Sequence, residues 1–426
     1  MQKTKKITAV TLLIWLCWLV YACSYIGKVN YNASINQVMS FYKVDKDTAG
    51  LVGTFFFFAY GIGQVINGFF CKKYNLKWVV FGSLVIAGCA NLLVALSSNF
   101  AFVKYVWLVN GFAMSVLWPC VVRFLAENLA RKDMARATVV IGTSSAVGMF
   151  FVYGVSAVFA KINFKITFFI ATAVLIGVAL LWAFSSSKLI KGIKKEEQEE
   201  IPQKIQEKNL PHQGRFSKNL LVIVIVMFCF FGVATNLVKD GLTTWMPTIL
   251  KEEYGFGDGI SIILTLALPV VGMFGNAFAT FTHKKIHDFI LHDGGVFLIS
   301  AILIGGVMAG LAVDYTWLSF AITLVGFTAV NFLVCSSNSL ITSIFPLYMK
   351  GKVNSGLMAG VLNGCCYLGS MISSYGLGLL AKNYGWSVTF WVLFAVCALV
   401  ALSATVYVIV KKLVERIKHA ELTVED

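Results

Sequence analysis

The sequence predicts an all-α integral membrane protein, with twelve transmembrane helices in two pseudo-symmetric six-helix bundles. Three observations carry that expectation. Hydrophobic residues make up 58% of the 426 and charged residues only 13%, so the chain lacks the polar surface that water requires and lipid must be its solvent. Its apolar stretches are about 20 residues long, enough to cross about 30 Å of hydrocarbon as a helix. The stretches lack the alternation of a membrane strand, and backbone groups in lipid must be satisfied within their own segment, so the spans are helices.

In chain order the spans are expected at 7–30, 48–70, 78–97, 102–127, 137–160, 166–186, 219–250, 260–282, 294–313, 316–346, 355–380 and 387–410. The first has the basic start of a signal peptide. It is too long for one and ends in Ser24-Tyr25-Ile26-Gly27-Lys28 instead of a small-residue cleavage site, so it is expected to stay. Between the sixth and seventh, 188–218 is the one long polar stretch, with Lys194-Lys195-Glu196-Glu197-Gln198-Glu199-Glu200, Pro202 and Pro211. It reads as a solvated linker between an N-terminal bundle (1–187) and a C-terminal bundle with its tail (219–426).

The net charge of +15 would suggest a nucleic-acid partner in a soluble protein, but its distribution explains it otherwise. Of the 35 Lys and Arg, 26 fall at the two termini and in the loops on their side, against 7 in the opposite loops. That asymmetry predicts an inner-membrane protein with both termini in the cytoplasm. All ten Cys fall in or at the ends of apolar spans without metal-ligand spacing, so they read as buried thiols, and no metal or cofactor is expected. Phosphate-binding loops and nucleophile elbows are absent from the sequence, which argues against an ATP-driven pump or a membrane enzyme.

Two lysines remain outside the loops, Lys28 and Lys239, 211 residues apart in the 426-residue chain. They occupy similar depths in the first helix of each half. Duplicated halves with a site at their interface are the mark of secondary transporters, so the lysines are expected to face each other across one cavity. Tyr21, Tyr25 and Lys28 share a helix face, continued by Asn32, as Asn236 does with Lys239, so the two lysines are expected to bind an anionic group and Tyr21, Tyr25, Asn236 and Tyr367 the rest of the substrate. The plainer alternatives are that Lys28 snorkels to the headgroups and that Lys239 is neutralised by the adjacent Asp240. Gln64, Trp118, Ser145, Asn338, Asn363 and Tyr367 are further polar or aromatic positions within spans; singly, each reads more readily as a packing residue than as a ligand.

Asp240 is the one acid expected inside a span, and His212, His283, His287, His292 and His419 are all expected in loops or the tail. Asp240 is therefore the candidate for proton coupling, and the scarcity of buried proton carriers points to exchange of one anion for another.

At these residues the chain resembles the organophosphate:phosphate antiporter family of the major facilitator superfamily. Tyr21, Tyr25, Lys28 and Asn30 match its first helix, in which two tyrosines precede a basic residue followed by x-Asn. The loop Gly68 to Lys77 is similar to the superfamily loop Gly-x-x-x-Asp-Arg-x-x-x-Arg, with Lys72 where the acid is expected. Trp118-Pro119-Cys120-Val121-Val122-Arg123 resembles the Trp-Pro-x-x-x-Arg signature, and Lys239-Asp240-Gly241 through Trp245-Met246-Pro247-Thr248 resembles the seventh helix. Gly360 through Gly369 is similar to the eleventh.

The resemblance implies a major facilitator fold whose two intramembrane basic residues grip the substrate's anionic group. Both are Arg in well-known members and Lys here. Gln64 replaces a basic residue of the second helix, and Ser145 a histidine of the fifth. The implied function is alternating-access exchange of a small phosphorylated metabolite for inorganic phosphate, by a protein expected to be a monomer in the bilayer. A carboxylate or sulfonate transporter, a non-transporting sugar-phosphate sensor and a lipid flippase of the same fold are the competing readings.

Overall fold

The structure, a computed structural model, describes residues 9–70, 73–199, 218–311, 316–349 and 355–422. Cys71 and Lys72 lie outside the described residues, as do 200–217 of the expected linker. Every regular element among those described is helical. In the first half α1 is Ala9–Ala33, followed by a short helix Ile35–Tyr42, α2 is Lys46–Phe70 and α3 is Leu76–Leu96. Two helices are broken in the middle: α4 (Phe100–Ser115, then Leu117–Asn128) and α5 (Arg131–Gly142, then Ser144–Phe159). Lys165–Glu199 is α6.

In the second half α7 is Lys218–Tyr254, and α8 comes in three pieces, Asp258–Thr265, Ala267–Gly272 and Gly275–His283. Phe289–Leu311 is α9, and α10 is Thr316–Ser339, prolonged by a π turn over Leu340–Ile344 and by Phe345–Tyr348. The last helical stretch, Ser355–Leu422, holds 68 residues. Straight, it would be about 100 Å long, three times the hydrocarbon thickness. Gly385 divides it with φ 80° and ψ 177°, a conformation that costs a residue with a Cβ dearly, into α11 (355–384) and α12 (386–422).

Four expected boundaries move by five residues or more, the first being the fifth helix, which starts at Arg131 instead of 137. The sixth helix runs well past 186, because Ser185-Ser186-Ser187 is too weak a stop and the Lys- and Glu-rich stretch after it favours helix. The start of the linker is therefore helical. The twelfth helix likewise runs beyond 410. The ninth starts at Phe289 instead of 294, since the Asp288 carboxylate accepts from the backbone N–H of Ile290 (3.0 Å) and Leu291 (3.2 Å) and caps it. This corrects two expectations. His292 and Asp293 sit inside a span, 2% and 0% exposed, so Asp240 is not the one acid within a span and not every histidine is in a loop.

The two sets of six helices meet along three seams. At the first, α2 packs on α11, so closely that a Cβ at Gly50 would collide with the Ser374 carbonyl oxygen. Thr54 donates across this seam to Met371 O and Ser374 to Gly50 O, each at 2.9 Å. The second brings α5 against α8, and the third joins α1 to α7 on the side away from the termini. There Asn32 donates to Thr244 Oγ1 (3.0 Å), Thr248 to Asn36 Oδ1 (2.7 Å) and Asn36 to Pro247 O (3.2 Å). Farther out, Lys382 bridges to Asp45 (2.9 Å) and Asp47 (3.2 Å), and Lys46 to Glu252 (2.8 Å). The far side is sealed, and the space between the halves opens toward the termini.

Candidate anion-binding cavity

Above the seal lies a cavity of about 220 Å³, whose wall includes Lys28, Lys239, Asp240, Tyr25, Ser145 and Tyr367. It continues toward the termini into a second space of about 630 Å³, bordered by Tyr21, Tyr60, Gln64, Trp118, Asn338 and Asn363. The two lysines thus stand at the closed end of one funnel, near enough for Lys28 to feel the charges of both Lys239 and Asp240.

The helix breaks place the wall. The interruptions at Val116 in α4 and Thr143 in α5 fall beside Trp118 and Ser145, and the π turn of α10 follows Asn338. The Thr143 hydroxyl donates to Val140 O at 2.7 Å and accepts from Trp18 Nε1 at 3.0 Å. Such local unwinding is tolerated in a membrane where the backbone is buried in protein or lines a cavity.

Lys28 lies in an aromatic setting. Its Nζ is 4.6 Å from the Tyr25 ring centroid and 4.8 Å from that of Tyr60. Among the described residues no carboxylate forms an ion pair with it. The rings offer their negative faces, each contact worth about 0.5–2 kcal/mol, while leaving the formal charge uncancelled. They continue as one lining: Tyr21 meets Tyr25 edge to face at 5.5 Å and Trp118 at 4.7 Å, and Tyr367 lies 4.5 Å from Tyr60.

Lys239 has a partner of its own. Side chains of successive helical residues diverge by about 100°, yet Lys239 Nζ approaches Asp240 Oδ1 to 3.4 Å. The other carboxylate oxygen accepts from Ser370 Oγ at 2.5 Å, Ser370 accepts from Asn236 Nδ2 at 3.1 Å, and Asn236 Oδ1 accepts from Asn338 Nδ2 at 2.8 Å. A relay across α10, α7 and α11 therefore holds Asp240 in place.

Asn236 is 2% exposed and serves as a middle member of that relay behind the wall, not as a group facing the cavity. Gln64 donates to Ser115 O (2.8 Å) and accepts from Asn363 (3.2 Å), which ties α2 to α11 at the cavity's edge. Of the remaining expected residues, Tyr21, Tyr25, Trp118, Ser145, Asn338, Asn363 and Tyr367 all border the funnel. Sequence reading missed Tyr60 and Ser370. Tyr60 precedes Gln64 by one helical turn and was findable by that spacing; a lone serine gives no comparable signal.

A model of the Major Facilitator Superfamily matches residues 17–359. The chain belongs to the Major Facilitator Superfamily. Among curated relatives, Membrane sensor protein UhpC of Escherichia coli (strain K12) is 21% identical over 396 residues, covering 89% of this chain and 88% of the relative. Sugar phosphate exchanger 3 of Bos taurus is 22% identical over 384 residues, with 80% and 76% covered. Probable sulfoacetate transporter SauU of Cupriavidus necator is 24% identical over 404 residues, with 86% of each covered. These relatives agree with the resemblance to organophosphate:phosphate antiporters seen in the motifs. In fold, the chain matches a bacterial homolog of the human lysosomal transporter Spinster, solved in an inward-facing and occupied conformation. The TM-score is 0.68 at 11% identity, over 94% of this chain and 97% of that one. This superfamily member is a multi-pass membrane protein with the major facilitator fold.

Proposed function

We propose that the protein carries a small organic anion across the inner membrane by alternating access, most simply a sugar phosphate or glycerol phosphate exchanged for inorganic phosphate. The observation that carries this reading is the pair of lysines, one from each half, at the closed end of one funnel. Charge inside a membrane protein is costly and is kept for a purpose. Lys28 and Lys239 take the anionic group, while Tyr21, Tyr25, Tyr60, Trp118 and Tyr367 face the organic remainder. Asn338, Asn363, Gln64 and Ser145 supply polar contacts at the edge. In this reading 1–187 and 219–426 rock as two units about the 188–218 connection, both termini are cytoplasmic, and a single copy suffices.

One observation favours a second reading. With Asp240 beside Lys239, the three charges at the apex sum to one positive charge, which suits a singly charged carboxylate or sulfonate as well as a phosphate ester. A thermal-stabilisation screen of the purified protein against phosphorylated, carboxylated and sulfonated metabolites separates the two. Counterflow of the best hit in proteoliposomes then tests transport. Stabilisation without counterflow would make the protein a sensor, and no stabilisation by any anion would overturn the reading.

A further inference from the structure

Outside the funnel, the second set of helices encloses an acid that the transport reading does not use. Asp293 on α9 is fully buried, and neither carboxyl oxygen has a hydrogen-bond partner among the described residues. A carboxylate left so would face the full penalty of desolvation. Near it are His292 and Ser337, and a count of hydrogens on each shows what they present to it.

Ser337 Oγ lies 3.1 Å from Thr235 Oγ1 on α7. The Thr235 hydrogen is already given to Phe231 O at 2.7 Å, and a carbonyl only accepts. The Thr235–Ser337 contact must therefore use the Ser337 hydrogen, which leaves Ser337 only lone pairs for Asp293. The same logic fixes His292. Thr282 on α8 donates its hydrogen to Phe278 O (2.7 Å), so at its 2.5 Å contact with His292 Nε2 it accepts, and Nε2 carries the hydrogen. The other ring nitrogen, Nδ1, faces Asp293 Oδ1 from 3.7 Å, beyond hydrogen-bond distance. Ser337 thus offers Asp293 only lone pairs and His292 Nδ1 is too far to donate, so the hydrogen that satisfies Asp293 sits on its own carboxyl.

We propose that Asp293, with His292, is a proton-binding site of the C-terminal half, and that transport is proton-linked through it. The groups around the pair are few. On α11 the buried Cys366 lies within electrostatic reach of both Asp293 and Lys239. Through Ser337 and Thr235 the site reaches α7 next to Asn236, and Ser337 precedes Asn338, so it abuts the relay that holds Asp240. On α12 Ala404 packs on Gly294. Toward the termini the His283 ring stands 6.4 Å from that of His292, with the exposed His287 beyond it; Asp288 there is tied to Lys411 at 2.6 Å. His287, His283 and His292 mark a path from the surface on that side to the acid. Loss of the proton from Asp293 draws the Ser337 hydrogen away from Thr235 and disturbs α7 where the anion is gripped, so proton and anion bind together. This coupling rests on the transport reading; the proton site itself does not.

Infrared spectroscopy of the full-length protein at neutral pH tests the site with no substrate present. The wild type is expected to show the carbonyl stretch of a protonated carboxyl, shifted by deuteration and lost in Asp293→Asn. Should that variant fail to fold, Asp293→Glu must move the band. A neutral-pH spectrum without the band, or one that either variant leaves unaltered, overturns the proposal. For the coupling, glucose 6-phosphate uptake into phosphate-loaded proteoliposomes is compared on either side of neutrality. The acid-to-alkaline ratio, up to about tenfold per pH unit in the wild type, should fall to about one in Asp293→Asn. An unchanged ratio overturns the coupling. If neither protein takes up the probe, the substrate reading and the coupling built on it fall, and the infrared result alone decides the proton site.

Discussion

Lys28 and Lys239 stand at matching points of α1 and α7, yet their surroundings differ in kind. Around Lys28 are rings, 4.6 and 4.8 Å from its nitrogen, which steady a cation without cancelling it. Beside Lys239 is a carboxylate at 3.4 Å, fixed by a relay of Ser370, Asn236 and Asn338. The difference assigns the two halves unequal work. An arriving anion meets Lys28 as an open positive charge, whereas it has to draw Lys239 away from Asp240. Anion binding in the second half therefore competes with an internal bond, and the strength of that bond tunes affinity. Duplicated helices have here kept the charge and divided its role.

The largest effect is expected at Lys28. Lys28→Ala should weaken anion binding by about thirtyfold or more, since truncating a desolvated charge opposite a ligand costs about 2–5 kcal/mol. Thermal stability should change little, because no partner carboxylate is left behind. Titration calorimetry with the best hit of the screen checks it; affinity within threefold of wild type would break the comparison.

Lys239→Ala comes next, about tenfold to a hundredfold weaker, and for a mixed reason: it removes a cation and strands Asp240 as a repelling charge. The double variant Lys239→Ala/Asp240→Asn should recover about tenfold of that loss. No recovery would mean that Asp240 is not electrostatically opposed to the ligand. Asp240→Asn alone should tighten binding by up to about tenfold, equal to about 1.4 kcal/mol, and a loss of affinity would show that the carboxylate serves the anion site in another way.

Much of this was legible in the sequence. Twelve apolar stretches of spanning length gave the helices, and the two lysines stood out because every other basic residue lies in a loop, a terminus or a span end. The rest depended on which way polar groups turn. Asn236 was read as a cavity residue because it shares a face with Lys239, but that face is wide enough for one to border the cavity and the other to pack on Ser370. His292-Asp293-Gly294-Gly295 looks like a loop: polar residues followed by two glycines. The Asp288 cap and the tertiary burial of His292 and Asp293 override that local signal. Where α11 ends is marked only by Gly385, one of 36 glycines.

The smallest effect tests the relay itself. Ser370 donates to Asp240 and accepts from Asn236, so Ser370→Ala removes both bonds without touching a charge or the cavity volume. Asp240 then loses the contact that holds its second oxygen, and its carboxylate turns more fully toward Lys239. If the relay exists to keep the Lys239–Asp240 bond loose, the ion pair tightens and the anion binds less well. A hydrogen bond to a charged group is worth about 1.5–3 kcal/mol, but Asp240 is part-exposed at 19% and water recovers much of that. A loss of about twofold to fivefold is therefore expected, well below that of Lys239→Ala. The discriminating measurement is Ser370→Ala in the Asp240→Asn background, where no carboxylate is left to orient. The loss should vanish there. If it persists, Ser370 acts on the packing of α7 against α11, and the looseness of the Lys239–Asp240 pair has another cause.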